Sequence, residues 1–170
     1  GGARWRWIAV LLLGASDKSG GMPSRSRHRR KGDLGSAMMR ALVQRVSSAS
    51  VAVDGEVVGS IGLGLCAFVG VTHEDGPDHA DRLAGRLAGL RIMDDADGVM
   101  NLSVADVGGS ILVVSQFTLY GDTSKGRRPT WSAAAQPEHA EPLIQRLADA
   151  LKEGGIEVAM GRFRADMVVD

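Results

Sequence analysis

Residues 115–131, SQFTLYGDTSKGRRPTW, concentrate side chains that could do chemistry. Ser115, Gln116, Thr118 and Tyr120 follow the apolar run ILVV at 111–114, and Lys125, Arg127 and Arg128 come soon after. A chain that only leaves a core turns on Gly, Asn or Asp. Hydrogen-bonding groups at a strand end, next to positive charge, suit a polar, anionic ligand. If the strand runs on, alternation points Gln116, Thr118 and Tyr120 one way and Ser115, Phe117 and Leu119 the other. Gln116 and Thr118 then reach a common pocket, where they can donate to a carbonyl or hold a water. Where the strand stops pairing, the amides of Phe117 and Thr118 become free. Two such N–H groups make an oxyanion hole, each essential donor being worth about 3–4 kcal/mol in acyl chemistry. No His or Glu is adjacent to activate Thr118, which argues against a Ser/Thr triad. The competing reading is a polar strand edge followed by an exposed basic turn, and spacing alone leaves both open.

Other chemistries find less support. His28, His73, His79 and His139 show no H-x-x-x-H spacing, and with one cysteine there is no C-x-x-C, so no metal is expected. His73 and His139 are expected at the surface, on helix flanks. Asp94, Asp95 and Asp97 lack the alternating ligands and distal Glu of a calcium loop and read as an acidic turn. GLG at 62–64 and GG at 108–109 are not followed by Lys-Ser/Thr, and no G-x-S-x-G elbow occurs. No cofactor is expected.

The totals narrow the partners. A chain of 170 residues, 44% hydrophobic, is expected to build one core of ordinary size. With 20 basic and 20 acidic residues it has no overall charge with which to coat nucleic acid, so an RNA partner must be gripped locally. Three Trp, three Phe and one Tyr are too few for a platform stacking several bases. The single Cys66 excludes an intramolecular disulfide and suggests a reducing, cytoplasmic setting. Trp7 to Leu13 is too short to span a bilayer, although with Arg4 and Arg6 before it the run resembles the apolar part of a secretory signal. No membrane partner is expected. The basic run at 25–31 reads as a solvated tail. Residues 1–38 are therefore expected to be a disordered extension outside the fold, and residues 39–170 the domain.

The elements that must position the site follow from periodicity. Strands are expected near 40–47, 50–53 and 56–60, with Asp54-Gly55 turning the hairpin between the last two. GLCAFVGV at 64–71 reads as a strand buried on both faces. PDHADRLAGRLAGL at 77–90 changes to helical period, with Leu83, Leu87 and Leu90 on one stripe. RIM at 91–93 and VMNLSV at 99–104 flank the turn DDADG, and GGSILVVSQFTLY is the next strand. A second helix begins near Pro137, carries Leu143, Ile144, Leu147, Ala148 and Leu151 on its apolar face, and ends at Gly154-Gly155. IEVAMGRF and ADMVVD close the chain as strands. Short turns between strands, with two inserted helices, argue for α+β rather than a doubly wound sheet.

In this order and spacing, MRALVQRVSSASVAVDGEVVGSIGLGL, RIMDDADGVMNLSV, SQFTLYGDTSKGRRPTW and GRFRADM resemble the D-aminoacyl-tRNA (D-tyrosyl-tRNA) deacylase family over residues 39–170. The resemblance implies a homodimeric α+β fold with a mostly antiparallel, partly barrel-like sheet and two main helices. It implies hydrolysis of the ester joining a D-amino acid, or mischarged glycine, to the terminal adenosine of tRNA, a proofreading step in translation. No metal is implied; the substrate's own 2′-hydroxyl helps to activate water. Ser115, Gln116, Phe117 and Thr118 match the SQFT motif, with Thr118 orienting rather than attacking. Met100 and Asn101 match a Met-Asn pair near the pocket, and Phe163 and Met167 lie in the segment that receives the adenine. Arg45, in QRV, is expected to brace the pocket, and Lys125, Arg127 and Arg128 to meet the tRNA. The family also carries Gly-Pro-x-Thr after the ADM segment, which reaches into the partner's pocket and excludes L-amino acids. The sequence reaches Asp170 without it, since Gly76-Pro77 opens a helix. The expectation is a C-terminally incomplete domain that separates D- from L-substrates poorly, with a catalytically inert or purely tRNA-binding domain as the alternative.

Overall fold

Alternation explains the first elements of the structure, a computed structural model that describes residues 10–14 and 38–170. In β2 (Arg40–Val46) Ala41 and Val43 are buried, and in β3 (Ala49–Val53) Ala49, Val51 and Val53 are. Asp54 (φ 52°) and Gly55 (φ 80°) form the hairpin turn into β4 (Glu56–Ile61), both at the positive φ that a two-residue hairpin loop demands. β5 (Gly64–Gly70) is buried along nearly all its length. It pairs antiparallel with β2, from Arg40 opposite Gly70 to Val46 opposite Gly64.

The next two strands depart from a simple meander. β8 (Ser110–Ser115) lies parallel to β5, and β9 (Glu157–Met160) lies parallel to β8. Parallel neighbours need long crossovers, supplied by α1 (Pro77–Ala88) and α2 (Pro137–Glu153). Between α1 and β8 the chain forms the small hairpin β6 (Met93–Asp94) and β7 (Met100–Leu102). A last strand, β10 (Met167–Val169), joins β3 and β4 in a second sheet of order β10-β3-β4. The pairings are mostly antiparallel and the sheets stay open, so the α+β class holds with a mixed central sheet.

Residues 10–14, placed outside the fold by the sequence reading, form strand β1 (Val10–Gly14), whose backbone pairs antiparallel with β2 at the sheet edge. The remaining expectations for residues 1–38, including the basic run at 25–31, fall outside the described residues. Among the described residues no helix is long and apolar enough to cross a membrane.

The central sheet carries a core on each face. Leu65, Ala67, Val69, Ile111 and Val113 meet Leu83 and Leu87 of α1 and Leu143, Leu147 and Leu151 of α2. The alternate residues Cys66, Leu112 and Val114 meet Ala49, Val51 and Ile61 of the second sheet. Period two thus sorts one strand between helices and sheet.

Cys66 is 3% exposed in that inter-sheet layer, and burial pushes its thiol up to about 11. The neutral thiol is expected to resist iodoacetamide at pH 8 in the native protein and to react at once in urea, read by mass spectrometry. Because the folded pKa lies above the ordinary thiol value of about 9, the unfolded chain ionises first, so stability falls as pH rises from about 9 to 11.

Candidate active site

The ladder of β8 ends at Ser115, and the continuous strand expected through Tyr120 gives way to a single 3₁₀ turn, Phe117–Tyr120. The reason lies in its neighbour. β5 stops at Gly70, and the amide of Gln116 donating to Val69 O at 2.7 Å is the last rung available. Tyr120 then turns inward. Its ring lies beneath the Arg40 guanidinium, 4.5 Å from the centroid, and its hydroxyl donates to the Met38 carbonyl. A Cβ at Gly70 would come 2.8 Å from that ring, so only glycine lets the tyrosine settle there. Burial, with Asp75 nearby, holds the Tyr120 phenol well above its ordinary range.

The turn leaves two amides without acceptors. Among the described residues, the N–H groups of Phe117 and Thr118 donate to nothing, as the first amides of any helical turn must unless something outside meets them. The alternation argument for Gln116 and Thr118 fails, because the strand has ended, yet the two side chains still meet: Gln116 Nε2 donates to Thr118 Oγ1.

Beside the turn opens a cavity of about 700 Å³. Its floor is the carboxyl end of the parallel strands β5 and β8, where open α/β sheets commonly receive ligands. Ser115, Gln116, Phe117, Phe163 and Met167 line it, as does Trp131. Five residues expected at the site are therefore together. Thr118 stands next to the cavity through its bond with Gln116 but does not line it.

The others are elsewhere. Arg45 donates to Ile92 O at 3.0 Å and pairs with Asp94 at 2.6 Å, which fastens the β6–β7 hairpin to β2. It braces that hairpin and not the cavity. Met100 is 54% exposed on the hairpin. Asn101 accepts from Arg91 at both its carbonyl and its side-chain oxygen and donates to Asp95. The acidic turn is held by the same network: the Val99 amide, foremost, keeps the Asp95 carboxyl below the usual carboxylate range. Met100 and Asn101 thus fall outside the cavity lining, on a hairpin fastened to β2 through the Arg45 side chain. Lys125, Arg127 and Arg128 are exposed on a loop closed by the paired backbone bonds of Asp122 and Thr130, outside the cavity too.

His73 and His139 are exposed as expected, each with a ring nitrogen on a backbone carbonyl: Ser132 O at 3.1 Å and Asp75 O at 2.8 Å. Among the described residues no three His, Cys, Asp or Glu side chains stand together as a metal cage would need. Sequence reasoning missed Trp131, Arg164 and Asp166, which line the cavity. Trp131 had a signal, as the one tryptophan inside the domain. Arg164 had none, since its left-handed backbone (φ 61°) is unusual for a non-glycine residue.

A family profile described as D-Tyr-tRNA(Tyr) deacylase matches residues 42–170. The chain belongs to this deacylase family. The D-aminoacyl-tRNA deacylase of Anaeromyxobacter dehalogenans is 55% identical over 132 residues, 78% of this chain and 89% of that protein. The protein of the same name from Thermus aquaticus is 53% identical over 131 residues, 77% of this chain and 86% of its own. Among solved structures, a c-Myc DNA Unwinding Element Binding Protein superposes with a TM-score of 0.72 at 34% identity, covering 78% of this chain and 89% of that one. A probable eukaryotic D-amino acid tRNA deacylase shares the fold, with a TM-score of 0.65 at 16% identity over 78% of this chain and 92% of its own. Within the deacylase family match lie the cavity and both amides, while β1 lies outside it.

Proposed function

We propose that this chain hydrolyses the ester of D-aminoacyl-tRNA, releasing the D-amino acid and free tRNA, with glycyl-tRNA as a second substrate. The observation that carries the reading is the pair of amides at Phe117 and Thr118, which find no acceptor among the described residues, beside a cavity inside the family match. Water adds to the ester carbonyl, and the two amides take up the charge that develops on its oxygen. The tetrahedral adduct collapses, the 3′-oxygen leaves with a proton, and the substrate's own 2′-hydroxyl relays it. Gln116 and Thr118, bonded to each other, orient the ester or its water, and Ser115 lines the wall behind them. Phe163 and Met167 offer apolar surface to the terminal adenine. Lys125, Arg127 and Arg128 meet backbone phosphates, a role suited to exposed cations on a loop. Arg45, Met100 and Asn101 act in this reading through the β6–β7 hairpin that Arg45 fastens to β2.

The working unit in this reading is a homodimer in the cytoplasm, where translation runs. Phe117, Trp131 and Val168 are 57%, 40% and 64% exposed, apolar surface that a second copy or the tRNA would cover.

Release of free D-tyrosine from D-Tyr-tRNA by the purified chain tests the proposal. Gln116→Ala and Thr118→Ala are expected to slow release roughly 10-fold each through lost positioning. Neutralising Lys125, Arg127 and Arg128 should weaken tRNA binding and flatten its salt dependence. Salt-sensitive tRNA binding with no release of amino acid would mean a binding module instead of an enzyme.

A further inference from the structure

The geometry points to Trp131 as a positioning residue that sets the Phe117–Thr118 amides, an inference that rests on the hydrolytic reading above. The start of the turn is fixed by the Gln116 rung on β5, and its end by the buried Tyr120. Between them Phe117 is 57% exposed, and its one aromatic partner among the described residues is Trp131. The two rings meet edge to face, centroids 5.9 Å apart and planes at 68°, the arrangement that the ring quadrupoles favour.

Trp131 also touches the far end of the turn. A Cβ built on Gly121 would lie 3.4 Å from the indole nitrogen and 3.2 Å from Thr118 O, so the indole packs directly over that glycine. One side chain therefore spans the turn from Phe117 to Gly121. Its own backbone is well anchored. Asp122 and Thr130 exchange two backbone bonds of 2.9 Å just before it, and Trp131 O accepts from Ala134 N at 3.0 Å just after. The long basic loop, whatever it meets at its tip, thus delivers a rigid indole to the turn that carries the free amides. Moving Phe117 rotates the peptide whose N–H faces the reacting carbonyl in the proposed chemistry. Donors for an oxyanion must stand within tenths of an ångström to be useful.

The test is a double-mutant cycle on D-Tyr-tRNA hydrolysis using Trp131→Ala, Phe117→Ala and the double variant. Trp131→Ala is expected to lower kcat roughly 10- to 100-fold with KM little changed, as misplacement of a catalytic group does. Trp131→Phe is expected to restore most of the rate by keeping an aromatic edge. If Trp131 acts through Phe117, the double variant loses little beyond the worse single one. Additive losses, a rise in KM at constant kcat, or wild-type kcat in Trp131→Ala would overturn the inference while the enzyme assignment stood. A wild-type chain that releases no amino acid would remove both. Should Trp131→Ala fail to fold, Trp131→Leu and Trp131→Phe carry the comparison, and equal kcat in the two sinks it.

Discussion

Phe117→Pro is expected to lower kcat for D-Tyr-tRNA about 10²–10³-fold below Phe117→Ala while the protein stays folded. The pair of variants separates ring from backbone. Both remove the phenyl group and its contact with Trp131, and only proline removes the N–H. The site tolerates the change for three reasons. Phe117 is the first residue of the 3₁₀ turn, where a helical φ suits the pyrrolidine ring. Among the described residues its amide makes no bond, so none is lost. Gln116 before it has φ −144° and ψ 88°, outside the helical region that a following proline disfavours. Ordinary surface substitutions shift stability by about 0.5 kcal/mol or less, and Phe117→Pro is expected to stay near that range. Equal kcat in the two variants, with matching melting temperatures, would show that the amide takes no part in the reaction.

The same turn shows where sequence patterns stop being informative. The stretch SQFTLY alternates polar and apolar just as a half-buried strand does, so its period continues past the point where pairing ends. What ends the ladder is the length of β5, which stops at Gly70 some 45 residues earlier in the sequence. The hairpin of β3 and β4 was legible because Asp54 and Gly55 encode its turn locally, and the apolar stripe of α2 because 3.6-residue spacing is local too. Parallel pairing of β5 with β8 and β9 is not, since no nearby residue records which strand will lie alongside. Gly64 makes the point at one atom. In GLG it invites comparison with a phosphate loop, whereas a Cβ there would sit 1.8 Å from Ser110 O, so the glycine exists to let β8 approach. Site residues followed the same division. Ser115, Gln116, Phe117, Phe163 and Met167 came together as the motifs imply. Arg45, Met100 and Asn101, from two separate motifs, meet instead at a hairpin fixed by the Arg45–Asp94 pair, a contact 49 residues long.

Asp75→Ala is expected to destabilise the fold by roughly 3–5 kcal/mol, a large share of the 5–15 kcal/mol that holds a typical domain together. Nothing in EDGPDHAD marks this residue, which reads as a turn before α1. In the structure it is 3% exposed and its carboxylate accepts three bonds. Oδ1 takes the Met39 amide at 2.8 Å, and Oδ2 takes the Thr72 amide at 2.7 Å and the Thr72 hydroxyl at 3.2 Å. One side chain thus ties the start of β2 to the exit of β5, and its backbone oxygen takes the His139 ring nitrogen from α2. Alanine would strand two buried amides and a hydroxyl, and each orphaned group costs about 1–3 kcal/mol. Asp75→Asn keeps the shape but turns an NH₂ toward a backbone donor, so it should fall between Ala and wild type. His139→Ala removes one bond at an exposed ring and should cost about 1 kcal/mol or less. Urea unfolding at constant slope checks the ranking. The cavity should feel the loss as well, because Thr72 bridges to Ala134 and Val71 O accepts from Ala135 N, both alanines being part of its wall. A variant folded at low temperature is therefore expected to bind substrate less well than wild type, because the bonds that hold Ala134 and Ala135 are disturbed. Wild-type stability in Asp75→Ala would mean that water replaces the carboxylate at no cost, and that the junction of β2, β5 and α2 is held by packing alone.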